Sequence, residues 1–150
     1  YQPAPGLEAR YPLERWAGDD YRISLHSLQD GVAALKANKF TKAEEIFAGV
    51  LRRKRGNADA NFYMGVTKMN LGEWEDAKTY LEIAAEKKPK HPDPKSRLGV
   101  TYAKLGDTAG AKEQRAALEK MDEDCKGKCR NAQWISGGIA MIDAALPPKS

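Results

Sequence analysis

Apolar residues recur along this chain at the spacing of one helix face. Ala43, Phe47 and Val50 stand at i, i+4 and i+7, and Ala77, Leu81 and Ala84 repeat the pattern. Ala111 and Leu118 continue it with one member missing. Polar and charged residues fill the intervening positions, so each run predicts an amphipathic helix with one buried stripe. The runs are themselves periodic. Gly31, Gly65 and Gly99 lie 34 residues apart, each followed by a valine; Ala43, Ala77 and Ala111 keep the same interval; Leu71-Gly72 recurs as Leu105-Gly106. A period of this length predicts stacked helix-turn-helix units at residues 24–57, 58–91 and 92–125. One helix pair cannot bury its apolar face alone, so the three must stack.

The ends of the chain depart from this pattern. Residues 1–18 hold Pro3, Pro5, Gly6 and Pro12 without helical periodicity and read as an irregular arm. Tyr1, Leu7, Tyr11, Leu13 and Trp16 make that arm apolar enough to dock somewhere. Asp19 and Asp20 suit the N-cap of the first helix, so the repeat region is read as residues 19–125. Pro89 stops the second helix of the middle repeat. Beyond Cys129, in residues 126–150, Ile135, Ile139, Ile142 and Leu146 predict a further amphipathic helix over about Asn131 to Ala145, ended by Pro147-Pro148. Gly137-Gly138 weakens it, by roughly 1 kcal/mol per glycine against alanine. The leading expectation is a cap over the third repeat; the alternative is a helix that docks into a partner or the array's own groove, with Trp134 as anchor.

The recurring residues resemble those of the tetratricopeptide repeat family. The middle repeat matches at Gly65, Gly72, Trp74, Ala77, Ala84 and Pro89, and the third at Leu98, Gly99, Tyr102, Gly106, Asp107 and Ala111. The first matches at Gly31, Phe40, Ala43 and Phe47. The third departs from the pattern, with Arg115, Leu118 and Glu123 in place of an aromatic, an alanine and a proline. The resemblance implies an all-α, right-handed α-solenoid of three helix-turn-helix repeats with a C-terminal capping helix. It also implies a concave groove lined by the first helix of each repeat. In this chain the groove positions fall on Leu25, Leu28, Val32, Leu35 and Lys36, then on Phe62, Val66, Met69 and Asn70. In the third repeat they fall on Ser96, Val100 and Lys104. Asp59, Asp93 and Ala103 complete the set. Val32 and Val66 stand where a carboxylate-clamping groove of this family needs asparagine, so that clamp is not expected.

An apolar groove suits an amphipathic helix or an extended apolar segment of another protein. The chain is therefore read as a non-enzymatic interaction adaptor with a protein or peptide partner, centred on Phe62, Val66 and Met69. The alternative is a self-associating structural or envelope-assembly protein that uses the terminal helix or the arm. Whether the groove is open, or filled by the arm or the terminal helix, stays undecided at this stage.

Composition changes the picture in three places. Net charge is +4, and the cations cluster: Arg52, Arg53, Lys54 and Arg55 close one second helix, Lys87 and Lys88 the next. Cations there complement the helix dipole. Stacking would also bring them onto one edge as a basic ridge, broken in the third repeat by Asp122, Glu123 and Asp124. Nothing resembles a nucleic-acid-binding signature, and no apolar run approaches the roughly 20 residues a membrane span needs. Cys125 and Cys129 are the chain's two cysteines. A small disulfide loop is the leading reading, with free thiols or a metal or redox role as alternatives. A structural zinc site wants four ligands, so none is expected. With that pair, and Tyr1 instead of methionine at the start, the chain is expected to be exported, to a bacterial periplasm, with the cytoplasm as the alternative. Catalytic signals are poor. The stretch from Gly106 to Lys112 lacks the spacing of a phosphate loop, and His26 and His91 have no nucleophile partner in the sequence. No cofactor is expected.

Overall fold

The structure is a computed structural model and describes residues 20–148, with side chains from residue 27. The arm and the side chains of Leu25 and His26 lie outside that description. Among the described residues seven helices follow one another: α1 (Asp20–Lys36), α2 (Phe40–Arg53), α3 (Ala58–Asn70), α4 (Trp74–Lys87), α5 (Pro92–Lys104), α6 (Thr108–Cys125) and α7 (Ala132–Ala145). No strand occurs among the described residues. The fold is an α-solenoid of three helix pairs, closed at its C-terminal end by α7.

The turns inside the pairs follow from backbone chemistry. Gly72 and Gly106 adopt φ of 76° and 82°, and Asn38 takes 60° at the equivalent place in the first pair. Asparagine is the non-glycine residue best suited to that region. The N–H of Lys39, Glu73 and Asp107 each reaches back to a carbonyl of the preceding helix, at Ala34, Lys68 and Tyr102. This closes each first helix the same way. The starts of α3, α5 and α6 are capped by side chains. Asn57 Oδ1 accepts from Ala60 N–H at 2.9 Å, and Asp107 Oδ1 from Gly110 N–H at 2.8 Å. His91 Nδ1 accepts from Asp93 N–H at 3.2 Å and so caps α5.

Inside each pair the two helices cross over a glycine. Phe47 of α2 lies against Gly31, and Leu81 of α4 against Gly65; a Cβ on Gly65 would come within 2.6 Å of Leu81 Cγ. Ala43, Ala77 and Ala111 are fully buried beside these contacts. Sixteen residues after each glycine stand Phe47, Leu81 and Arg115. The third pair therefore lacks its apolar plug. Ile142 of α7 replaces it: a Cβ on Gly99 would come within 2.6 Å of Ile142 Cγ1. Arg115 turns outward, donating from Nε to Asp143 Oδ1 at 2.5 Å and from Nη2 to Asp143 Oδ2 at 3.1 Å. The capping helix is thus built into the third repeat. Its closeness also explains Gly138, where a Cβ would stand 2.8 Å from Ser96 Cβ.

Neighbouring pairs are tied by polar contacts as well. Lys68 of α3 pairs with Glu44 of α2, and Tyr102 of α5 donates to Glu82 of α4 at 2.6 Å. Burial, the hydrogen bond to Glu82 and the nearby carboxylates together push the Tyr102 phenol above its ordinary value of 10.0.

Two outcomes are expected. Ile142→Ala empties the niche over Gly99 and lowers stability by about 3 kcal/mol in urea denaturation, and Gly99→Ala lowers it by about 1–3 kcal/mol through overpacking. The double variant loses clearly less than the sum, because alanine at 142 makes room for the new methyl. Additivity within about 0.5 kcal/mol would contradict the plugged niche. For Tyr102, a raised folded pKa favours the protonated phenol. Its contribution is complete below pH 10.0 and is lost as pH rises beyond it. Subtracting the tyrosinate titration of Tyr102→Phe from that of the wild type should leave one phenol ionising above 10.0; one ionising at or below it would refute the buried, carboxylate-flanked setting.

Candidate interaction surface

Neighbouring first helices touch: α1 meets α3, and α3 meets α5. The second helices α2 and α4 approach each other less. The array therefore presents two unlike faces, one along the first helices and one along the second.

The first-helix face carries the residues that the sequence assigns to the groove. Leu28, Val32 and Leu35 of α1 are half-buried, packed on the cluster of Ala34, Ala43, Phe47 and Met64. Phe62 and Met69 of α3 are half-buried over Ala77, Leu81 and Leu98, and Val66 is half-buried between them in sequence. Phe62 meets Tyr63 edge-on at 5.3 Å between centroids, and Tyr63 stacks on Phe47 at 5.8 Å. This aromatic relay fixes the Phe62 end of the groove to the core. Phe62 also lines a small cavity of about 80 Å³ with Ala84, His91 and Pro94, rimmed by the Lys88–Asp59 ion pair at 2.6 Å.

The polar ends of the groove are spoken for in part. Lys36, Asn70 and Lys104 are exposed at the ends of the three first helices. Asn70 Nδ2 donates to Val66 O at 2.8 Å within its own helix. Lys104 Nζ stands 5.9 Å above the Trp74 ring. In the third repeat the surface is different. Ser96 is 3% exposed, lies beneath Gly138 and donates to Asp93 O. Val100 packs on the cluster that Ile135 and Ile142 of α7 help to form. So α7 packs on α5 and α6 and covers the third-repeat end of the first-helix face, while α1 and α3 keep their apolar positions half-exposed.

Residues 34–94 match the family model described as Tetratricopeptide repeat. The chain carries tetratricopeptide repeats. No curated protein sequence matches it. Among solved structures, the tetratricopeptide domain of Sgt2 from Aspergillus fumigatus superposes with a TM-score of 0.64 at 23% identity, covering 85% of this chain and 86% of that one. PcrH from Pseudomonas aeruginosa gives 0.69 at 18% identity over 81% and 90% of the two chains. The Yersinia enterocolitica type III secretion chaperone SycD, in complex with a peptide of the translocator YopD, gives 0.66 at 14% identity over 80% and 89%. At these identities the likeness is one of fold.

On the second-helix face of this tetratricopeptide array, Arg52, Arg53 and Arg55 are exposed and Lys54 is half-buried. A Cβ built on Gly56 would stand 3.6 Å from Lys87 Nζ, so the basic ends of α2 and α4 do come near each other. Lys88 is already engaged by Asp59. Leu51, Tyr80 and Ile83 also lie on this face, half-buried around a cleft. Sequence reasoning passed over them because they sit off the buried stripe of their helices. Their accessibility depends on the spacing between helices, which no single helix pattern encodes.

At the chain's C-terminal end, the Sγ atoms of Cys125 and Cys129 lie at bonding distance, with Cα atoms 5.2 Å apart. The loop between them reverses through Lys126 and Gly127, both at positive φ. Both cysteines pack against the Leu118–Ile135–Ile142 cluster, while Trp134 faces solvent at 57% exposure. Among the described residues no helix is long and apolar enough to cross a membrane.

Proposed function

We propose that this protein is a non-enzymatic adaptor that holds an apolar peptide or amphipathic helix of another protein on the face formed by α1 and α3. The observation that carries the reading is the half-exposed row of Leu28, Val32, Leu35, Phe62, Val66 and Met69, left uncovered by α7. A half-exposed apolar row of this length is the kind of surface that marks interaction sites. The fold neighbour SycD, solved with a translocator peptide, supports the reading by analogy of architecture. The third-repeat members Ser96, Val100 and Lys104 contribute through packing and edges, since Ser96 has no open face.

The same proposal includes a disulfide between Cys125 and Cys129 in the working protein, and with it export to an oxidising compartment. Alkylation of native material before reduction should then label neither cysteine by mass spectrometry; two labelled thiols would remove both the disulfide and the argument for export.

The groove is tested by crosslinking pull-down from the native source with wild type and Val66→Glu. A carboxylate set among apolar contacts has no partner there and should cost the complex at least roughly tenfold in affinity. Prey lost with Val66→Glu, at unchanged helicity by circular dichroism, supports the groove. Prey retained in both samples would move the site off this face.

A further inference from the structure

Between the second helices α2 and α4 the solenoid opens a cleft of about 310 Å³. Ala48 and Leu51 form one wall and Tyr80 and Ile83 the other, all half-buried. Arg52 and Arg55 stand exposed at its rim, and neither guanidinium has a hydrogen-bond or ion-pair partner among the described residues. Asn61 of α3 closes the base at 1% exposure. Its Nδ2 donates to Arg55 O at 3.0 Å and to Asn57 O at 2.8 Å, which fixes the loop carrying Arg55. Its Oδ1 accepts from no donor among the described residues. The cleft continues past Ala48, Arg52 and Tyr80 to a second recess bordered by Glu44 and Glu45. Glu44 is paired with Lys68 there. The result is an elongated slot with apolar walls, cationic at the Arg55 end and with the carboxylate of Glu45 at the other.

We propose that this slot docks a segment of a partner protein that combines apolar side chains with carboxylates at one end, the carboxylates lying over Arg52 and Arg55. The apolar walls and the length of the slot fit a peptide. The polarity of the rim gives the peptide a direction, since its acidic end is attracted to one end and repelled from the other. A phosphate backbone or an anionic lipid surface would gain from the two arginines but nothing from the recessed Leu51 and Ile83, and it would meet Glu45 at the far end. The surface is separate from the first-helix groove, and its occupancy does not depend on it.

The test uses the full chain and a fluorescein-labelled synthetic peptide with a leucine and a phenylalanine at helical spacing followed by a run of glutamates, read by fluorescence anisotropy. Binding should weaken roughly tenfold in R52E/R55E, weaken as salt is raised, and persist in Val66→Glu. Both arginines are exposed, so the reversal leaves the core intact. Four outcomes overturn the proposal: no binding of the peptide, equal binding by R52E/R55E, equal binding of a peptide with lysines in place of the glutamates, or preference for phosphatidylserine vesicles or single-stranded RNA over the peptide. Loss of partner capture in Val66→Glu with retained peptide binding separates this slot from the first-helix groove.

Discussion

Each repeat of this protein turns on one contact, a large side chain seated over a first-helix glycine. The helices cross so closely there that no Cβ fits at Gly31, Gly65 or Gly99 without displacing the partner. In the first two repeats the partner comes from the following helix, as Phe47 and Leu81. In the third it cannot, because Arg115 holds that position. A guanidinium over Gly99 would be desolvated without a counter-charge, which is costly. The chain instead sends Arg115 out to Asp143 of α7 and brings Ile142 of the same helix in. These two moves are coupled by one turn of α7, since the residue that fills the niche is followed directly by the residue that takes the arginine. The terminal helix is therefore a requirement of the third repeat, and it is held by shape and by charge at once.

That commitment limits what the rest of the molecule can offer. A helix that must plug Gly99 cannot also travel along the first-helix face, so the apolar positions of α1 and α3 stay half-exposed while Ser96 is sealed. The contacts between neighbouring first helices, closer than those between α2 and α4, have a second consequence. Where first helices converge, their side chains form a continuous row; where α2 and α4 diverge, a slot remains with Asn61 of an inner helix visible at its base. Both candidate surfaces thus come from the same packing asymmetry.

Much of this was legible in the sequence. The 34-residue interval located all three helix pairs, and the recurring Gly72 and Gly106 stand at the turns where two of the first helices end. The groove was legible only through the family resemblance, because half-buried valines and leucines on a helix look like core in any single segment. Arg115 stood out as a departure, but its meaning lay in a contact with Asp143 across 28 residues, which periodicity does not report. Gly138 read as a weakness in a helix and is instead the site of closest approach to Ser96. His91 was missed as a cap because histidine is not among the residues that usually cap helix starts; its role follows from Nδ1 reaching Asp93 N–H.

The basic residues show how one sequence feature divides once geometry is known. Cations in the last turn of a helix complement its dipole wherever their side chains point, and that cause accounts for Arg53 and Lys87 without further structure. Lys88 adds a specific ion pair with Asp59, beside the cavity that Phe62 lines. The dipole covers Arg52 as well, which lies in the last turn of α2, but neither cause accounts for the cleft that Arg52 shares with Arg55. They share a rim over apolar walls and have no acidic side-chain partner among the described residues, and Arg55 sits on a loop fixed from beneath by a buried asparagine. Dipole neutralisation needs no apolar walls and no fixed loop. A rim cation held in place over exposed apolar side chains is what recognition of an acidic, apolar ligand requires, and the two arginines meet that description while the rest of the basic run does not.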